Sequence, residues 1–250
     1  MTLFTRSKFY YGHTVTRENR NIDFQEGSTL FTATLRPRGY SLQGFAAEVR
    51  RAMNIVSDNE YLVLVNRETR QITIQGDDNF SLLPTTGTNA GTSALPLAGF
   101  ESNLSGDNSY TGEPSGFEFT PLLPLQDFIP FENEKEFIDP VINESASGRV
   151  ETVTYGIREF MSCNIRYQGD KPIAGRVDPN GRQDLLQFMR YIVTKAEIEF
   201  MENKDAPQFF STCLLERSQS SGSGSGFRLT ESDRLPGYLE TGRLVFRRRL

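Results

Sequence analysis

The chain has 250 residues, of which 37% are hydrophobic and 11% aromatic, so a packed core is expected and wholesale disorder is excluded. Its 27 basic and 32 acidic residues give a net charge of −5, which argues against a dedicated nucleic-acid-binding protein. No apolar run approaches the about 20 residues that cross a bilayer, and no secretion signal is present, so we expect cytosolic synthesis without membrane insertion. Cys163 and Cys213 are predicted to be buried free thiols.

Short β-like segments come first, followed by a helix and a hairpin. Residues 31–35 alternate apolar and polar side chains like a half-buried strand, and residues 36–39 interrupt it. A helix with Ser41 as its N-cap is predicted next, from apolar residues at spacings of three and four: Leu42, Phe45, Ala46, Val49, Ala52 and Met53. Residues 60–66 and 70–75 are then predicted to form the two strands of a hairpin.

Two segments of unusual composition follow the hairpin. Residues 101–116 are rich in Ser, Gly, Asn and Asp, so we expect no regular element there and place the end of a first module at this point. Residues 117–140 combine Phe and Leu with four prolines, which excludes a long helix. We expect an extended connector that lies against the second domain or another subunit.

The remaining residues predict a second β-rich module with one helix. Met161, Cys163, Ile165 and Tyr167 alternate with polar residues and predict a strand. A helix is predicted where Leu185, Leu186, Phe188, Met189, Ile192 and Val193 recur at helical spacing. Further strands are predicted at residues 197–201, 208–216, 226–229 and 242–246, with a flexible loop at 218–226.

These patterns predict a mainly β chain with α+β features. Residues 1–115 are expected to form a small helix-on-sheet module, and residues 116–142 a Pro/Phe-rich connector. Residues 143–250 are expected to form an antiparallel β-sandwich or barrel with one helix across it.

Catalytic and metal-binding motifs are weak. His13 is the single histidine, lies near an N-terminus that we expect to be unanchored, and has no Gly-x-Ser-x-Gly elbow to serve. Two distant cysteines and one histidine do not match a zinc finger. The glycine-rich stretch at residues 222–226 lacks the Lys-Ser/Thr of a phosphate-binding loop. We therefore predict a non-enzymatic protein without cofactor or metal.

One acidic cluster leaves alternatives open. A solvated charged face is favoured, but calcium binding or a pair of glycosidase carboxylates would use the same residue types. The cluster is opposed by Lys135 alone and comprises Asp127, Glu132, Glu134, Glu136, Asp139 and Glu144.

Two longer segments, residues 39–53 and 80–100, resemble a module found in structural proteins of tailed bacteriophages. The second of them contains the phrase TGTNAGTSALPLAGF. Shorter segments that look like tailed-phage virion proteins extend the resemblance over nearly the whole length, at residues 9–12, 21–24, 143–148, 197–201 and 235–242.

The order of elements in residues 147–248 is similar to the ring-forming domain of distal tail or baseplate proteins. The resemblance implies a structural subunit in the virion tail that forms a ring, with a hexamer favoured, and joins the tail tube to host-adhesion proteins. Its implied partners are copies of itself and the tube, hub and fibre proteins. The resemblance implies no catalytic residue and no cofactor.

Candidate subunit contacts come from the connector and the basic C-terminus, because a ring subunit must bury apolar surface against its neighbours. They are Phe117, Phe119, Leu122, Leu123, Leu125, Phe128, Ile129, Phe131, Arg247, Arg248 and Arg249.

Three other functions compete with this one. A receptor- or carbohydrate-binding virion module would display stacking groups such as Tyr61, Tyr110 or Tyr167. A capsid or neck accessory protein would share the helix-plus-hairpin module but assemble with another symmetry. A glycan hydrolase would need two opposed carboxylates, for example Glu132 and Glu134.

Overall fold

The computed structural model describes residues 7–119, 132–137, 141–144, 150–153, 157–168, 181–201, 203, 205–219, 230–231 and 238–249. Antiparallel strands dominate these residues, and two α-helices accompany them. The predicted mainly β, α+β fold class is therefore confirmed.

The elements up to residue 119 are β1 (Lys8–Tyr11), β2 (His13–Val15), β3 (Asn21–Glu26), β4 (Thr29–Thr34), β5 (Arg38–Tyr40), α1 (Leu42–Val56), β6 (Tyr61–Asn66), β7 (Gln71–Leu82), two 3-10 turns (Ala90–Thr92 and Leu95–Ala98), β8 (Leu104–Thr111) and β9 (Phe117–Phe119). The later elements are β10 (Glu132–Phe137), β11 (Val141–Glu144), β12 (Val150–Val153), β13 (Ile157–Gln168), α2 (Gly181–Val193), β14 (Ile198–Met201), β15 (Ser211–Gln219), β16 (Thr230–Glu231) and β17 (Tyr238–Arg248).

Contacts divide the chain into two compact units that differ from the predicted modules. The first unit comprises Arg6–Thr120 and Leu186–Phe210, and the second comprises Met1–Thr5, Pro121–Leu185 and Ser211–Leu250. Residues 186–210 thus belong with the N-terminal part of the chain, because β14 pairs with β1. Within the expected connector, β9 belongs to the first unit and β10 to the second.

The main sheet of the first unit has the order β4-β3-β7-β6, with β8 on β7. The predicted hairpin is present as β6 and β7, which pair from Asn66 opposite Gln71 onward. Helix α1 begins after Ser41, whose side chain accepts a hydrogen bond from the Gly44 N–H, as the sequence predicts. All six apolar residues of its predicted stripe are buried in the core.

One prediction in this sheet is wrong. Residues 101–116 were expected to lack a regular element, but Leu104–Thr111 forms β8 and pairs with β7. Strand pairing uses backbone groups, so a run of small polar residues is tolerated where one face is exposed. Tyr110 fixes the strand, because its ring is buried and its hydroxyl donates to the Phe80 carbonyl at 2.7 Å.

Three further strands of the first unit pair in the order β14-β1-β9. Their aromatic side chains form a cluster with α2, in which the Phe119 and Phe188 rings are stacked 4.8 Å apart. Phe9 lies at the centre, 5.0 Å from both the Phe188 and the Phe200 ring. Phe9 pairs with Phe200 in the register, so this cluster joins the two stretches of chain in the unit.

In the second unit, strands pair in the order β10-β13-β17-β15, with β16 on β17, and β11 and β12 form a separate pair. The strand predicted from the alternation at residues 161–167 lies within β13. Cys163 and Cys213 are buried free thiols, as predicted, and burial raises the pKa of Cys213 to about 12.

Two further predictions differ from the structure in their bounds, and a third is not covered by it. Strand β15 runs to Gln219, so the loop expected from residue 218 does not begin there. Helix α2 begins at Gly181, earlier than the apolar pattern indicates. The strand predicted at residues 226–229 lies outside the described residues.

The buried carboxylate of Asp23 on β3 holds the glycine- and threonine-rich loop against the main sheet. Its Oδ2 accepts the backbone N–H of Asn89 at 2.5 Å, and its Oδ1 accepts the Asn89 amide at 3.0 Å. Oδ1 also accepts the Thr32 hydroxyl at 2.6 Å. One side chain thus connects a strand to the loop that leads into the two 3-10 turns.

We predict that Asp23→Ala lowers the free energy of unfolding by about 3 kcal/mol, because three partly buried donors lose their acceptor. Urea unfolding followed by circular dichroism measures this loss. The control is Asp77→Ala, which changes an exposed aspartate of β7 and should stay within about 0.5 kcal/mol of the wild type. Equal stability of the two variants would show that Asp23 does not hold the loop.

Candidate functional site: a groove beside helix α2

The first unit contains an open groove with a volume of about 560 Å³, which we call the α2 groove. The strand side is formed by β2 and β5, which pair antiparallel from His13 opposite Tyr40 onward. The helix side is formed by the second half of α2. The groove is lined by Tyr11, Gly12, Thr14, Val15, Pro37, Arg38, Gly39, Phe117, Gln187, Arg190, Tyr191 and Thr194.

Helix α2 is amphipathic, and this explains which of its residues line the groove. Gln187, Arg190 and Tyr191 are three and four residues apart, so they share one face and line the groove. Phe188 and Ile192 are fully buried on another face. The apolar face therefore fixes the helix in the unit and leaves its polar face open.

Two glycines permit the close packing at the strand side. Gly12 has φ +112°, and a Cβ there would lie 2.6 Å from Cδ2 of Phe117. A Cβ on Gly39 would overlap the Ala196 side chain. Larger residues at either position would push Phe117 or the segment after α2 away from the strands.

The groove carries positive charge. Arg190 is exposed and makes no ion pair or hydrogen bond with any residue that the structure describes. The Arg38 guanidinium lies 4.3 Å from the centre of the Tyr40 ring, and one of its nitrogens is 3.9 Å from Oε1 of Glu197. The groove lining includes no carboxylate.

Tyr191 anchors the helix side rather than offering a reactive group. Its hydroxyl lies 3.1 Å from the Tyr40 carbonyl oxygen and 3.2 Å from that of Glu197. Burial raises the pKa of Tyr191 to about 12, so the phenol remains protonated at neutral pH.

His13 lies in the core, next to two residues of the groove lining, whereas residues 1–6 of the N-terminus that was expected to be unanchored lie outside the described residues. His13 is part of β2, is 1% exposed, and stacks on the Phe45 ring at 5.1 Å. Its Nε2 is 3.2 Å from Oγ of Ser115, whose hydroxyl donates to the Arg70 carbonyl. A Ser115 hydroxyl that donates to this carbonyl can accept from a protonated Nε2, and Nδ1 has no hydrogen-bond partner in the described part of the chain. With no acid on Nδ1, this pair is a structural contact.

The candidate subunit contacts are placed differently from one another. Phe117 is 48% exposed and borders the α2 groove, whereas Phe119 is buried in the aromatic cluster. Leu122, Leu123, Leu125, Phe128, Ile129 and Phe131 lie outside the described residues.

The C-terminal arginines of the candidate set are in or next to β17. Nε of Arg247 lies 3.6 Å from Oε2 of Glu216, and a terminal nitrogen of Arg248 lies 3.9 Å from Oε2 of Glu159. Arg249 is exposed, and its backbone N–H donates to the Thr212 carbonyl. The ion pairs are partly exposed and therefore contribute little to stability.

The residues considered for other functions do not assemble a site in the described structure. Tyr61 and Tyr110 are buried, with their hydroxyls bonded to Glu26 and to the Phe80 carbonyl, so neither ring is displayed for stacking. The side chain of Tyr167 lies outside the described part. No group of three His, Cys, Asp or Glu residues is arranged to hold a metal ion among the residues described.

The acidic cluster is likewise divided. Glu132, Glu134 and Glu136 belong to β10, and Glu144 belongs to β11. Asp127 and Asp139 lie outside the described residues.

Sequence reasoning missed the groove, although part of its signal was present. The polar positions 187, 190 and 194 recur at helical spacing beside the apolar stripe of α2. Arg38 was interpreted only as part of a break between elements. Nothing in the sequence indicates that β5 lies beside the end of α2, because that proximity results from the return of residues 186–210 to the first unit.

Comparison with known proteins adds no family to this description: no family model and no curated protein matches the chain. Among the described residues, no helix is long and apolar enough to span a membrane.

The buried imidazole of His13 predicts a pH-dependent stability. Burial lowers its pKa from 6.5 to about 4, so the unfolded chain binds a proton between these values and the folded chain does not. The stabilising contribution is complete above pH 6.5 and is lost as the pH falls toward 4, by about 3 kcal/mol in total.

The measurement is urea unfolding across this pH range for the wild type and for His13→Gln, which retains a donor for Ser115. The difference in stability between the two proteins should shrink as the pH falls toward 4. A difference that does not change with pH would show that His13 is protonated equally in the folded and unfolded states.

Proposed function

We propose that the chain is a non-enzymatic structural subunit of a bacteriophage tail, located at its distal end or baseplate, where it forms a ring. In this role it joins the tail tube to host-adhesion proteins such as hub and fibre. Copies of itself, favoured as a hexamer, are its first partners, and it needs no cofactor and no nucleic acid.

An apolar sheet edge in the first unit carries the proposal. Strand β6 pairs with β7 on one side and has no strand partner on its other side among the described residues. Leu62 and Leu64 on this strand are 40% and 47% exposed, while the alternate residues Tyr61 and Val63 are buried. An open edge that carries exposed leucines promotes association with another chain unless something covers it.

Another edge of the same sheet adds to this surface. Strand β4 pairs with β3 alone among the described residues, and Leu30 on it is 47% exposed. A subunit with apolar side chains at two different edges can contact two neighbours, which is what a closed ring requires.

The segments that resemble phage virion proteins support the proposal because they fold together. Residues 39–53 supply α1, and residues 80–100 supply the end of β7 and both 3-10 turns. Phe45 and Val49 lie in the same core cluster as Leu95 and Phe100. The resembling segments therefore form one folded body, held on β3 by Asp23.

The first experiment is the mass of the purified chain by light scattering, with negative-stain imaging of the same sample. We expect a sixfold ring with a lumen that admits a tail tube. A chain that stays monomeric at every concentration, or a trimer without a lumen, would contradict the ring. A receptor-binding virion module or a capsid or neck accessory protein would then be favoured.

A double variant, Leu62→Lys with Leu64→Lys, tests the edge itself. We predict that it shifts the assembly toward the monomer and leaves the circular dichroism spectrum unchanged, because both side chains already face solvent in the subunit. The matched control is Ile55→Lys, an exposed apolar residue near the end of α1, which should assemble like the wild type. Normal assembly of the double variant would exclude the β6 edge as a subunit contact.

A further inference from the structure

We propose that the α2 groove is a receptor site for the acidic edge strand β10 of a neighbouring copy of the chain. This inference deepens the proposed function and rests on it, since it names one more contact between copies besides the β6 and β4 edges. Three observations lead to it: an unpaired arginine, an exposed aromatic ring beside it, and an acidic strand at the edge of another sheet.

The groove is built to receive an anion. Arg190 has no acidic partner among the residues described, and the lining contains a second arginine, Arg38, but no carboxylate. The Arg38 side chain is 47% exposed, and the distance from one of its guanidinium nitrogens to Oε1 of Glu197 is 3.9 Å. This ion pair is long, so the positive charge of Arg38 remains available to a ligand. Guanidinium groups favour carboxylates because they offer paired donors in one plane.

The groove also offers apolar surface beside the charge. Phe117 is half exposed, and its ring lies 5.6 Å from that of Tyr11. An inorganic anion would leave this aromatic surface uncovered. A polypeptide segment with both carboxylates and a phenylalanine would satisfy the arginines and cover the ring together.

The size of the helix side suits a short extended segment. From Gln187 to Thr194 the chain rises roughly 10 Å, at about 1.5 Å per residue. This length accommodates about three residues of an extended strand at ~3.3 Å each. Alternate positions of such a strand share a side and are separated by about 7 Å.

The chain contains one described strand of matching chemistry. Strand β10 has the sequence ENEKEF, with glutamate at alternate positions 132, 134 and 136 and phenylalanine at 137. It pairs with β13 on one side and is the terminal strand of its described sheet. Groove and strand belong to different units, so the contact between copies joins two unlike surfaces, the kind of contact that builds rings.

The decisive experiment is the binding of a fluorescent peptide of residues 131–139 (FENEKEFID) to the full chain, followed by anisotropy. We expect saturable binding that weakens with added salt and becomes about tenfold weaker in Arg190→Glu. Arg190 is exposed and makes no ion pair or hydrogen bond with another described residue, so this variant should fold normally. A peptide with glutamine at positions 132, 134 and 136 should bind at least tenfold more weakly.

The matched control is Arg50→Glu, which makes the same charge change at an exposed position of α1 outside the groove. It should bind the peptide within about twofold of the wild type, since an exposed ion pair contributes little. Absence of saturable binding, or equal binding by the wild type and Arg190→Glu, would overturn the inference. A third outcome would also overturn it: the wild type binds inorganic phosphate but not the peptide, and Arg190→Glu abolishes the phosphate binding. This result would indicate a small-anion site.

Failure of this inference and failure of the proposed function can be told apart. The peptide measurement decides whether the groove recognises β10, whatever the oligomeric state. Light scattering and imaging of the wild type decide whether a ring forms. Rings without peptide binding would leave the tail proposal standing and the groove contact excluded. Peptide binding by a chain whose copies associate without closing into rings would contradict the ring and leave the groove contact standing.

Discussion

A buried carboxylate, Glu199, fixes the arrangement on which the rest of the first unit depends. The side chain is fully buried, and it accepts the Gln43 backbone N–H at 2.7 Å, in the first turn of α1. Its other oxygen lies 3.2 Å from Nε of Arg67. Burial raises the pKa of Glu199, while the arginine and the helix N–H oppose that shift. Removal of the Arg67 side chain would leave the buried carboxylate without its opposite charge and would lower the free energy of unfolding by several kcal/mol.

This interaction explains why residues 186–210 belong to the first unit. Glu199 lies on β14, and Phe200 beside it pairs with Phe9 of β1, so a polar contact and an aromatic contact secure the same strand. Because α2 directly precedes β14, its second half is held next to the β2–β5 pair. The α2 groove, with Arg190 and Arg38 in its lining, is a consequence of this return of the chain.

Local patterns identified several elements well. The stripe from Leu42 to Met53 and its cap at Ser41 predicted α1, because helix periodicity and capping are properties of neighbouring residues. The alternation around Cys163 likewise predicted β13. Strand β8 was missed because its side chains are small and polar, and its pairing with β7 depends on backbone groups that composition does not report.

The sequence alone determined the β-rich class, the two amphipathic helices, the buried thiols and the presence of an acidic segment, since each follows from composition or short-range periodicity. Only the tertiary structure decided that His13 is a core residue, that Phe119 is buried while Phe117 is exposed, and that Arg38 and Arg190 line one groove. The physical reason is that these features depend on pairing between strands far apart in the chain, such as β1 with β14. Such pairing is chosen by the summed burial of many side chains, and no local pattern encodes it.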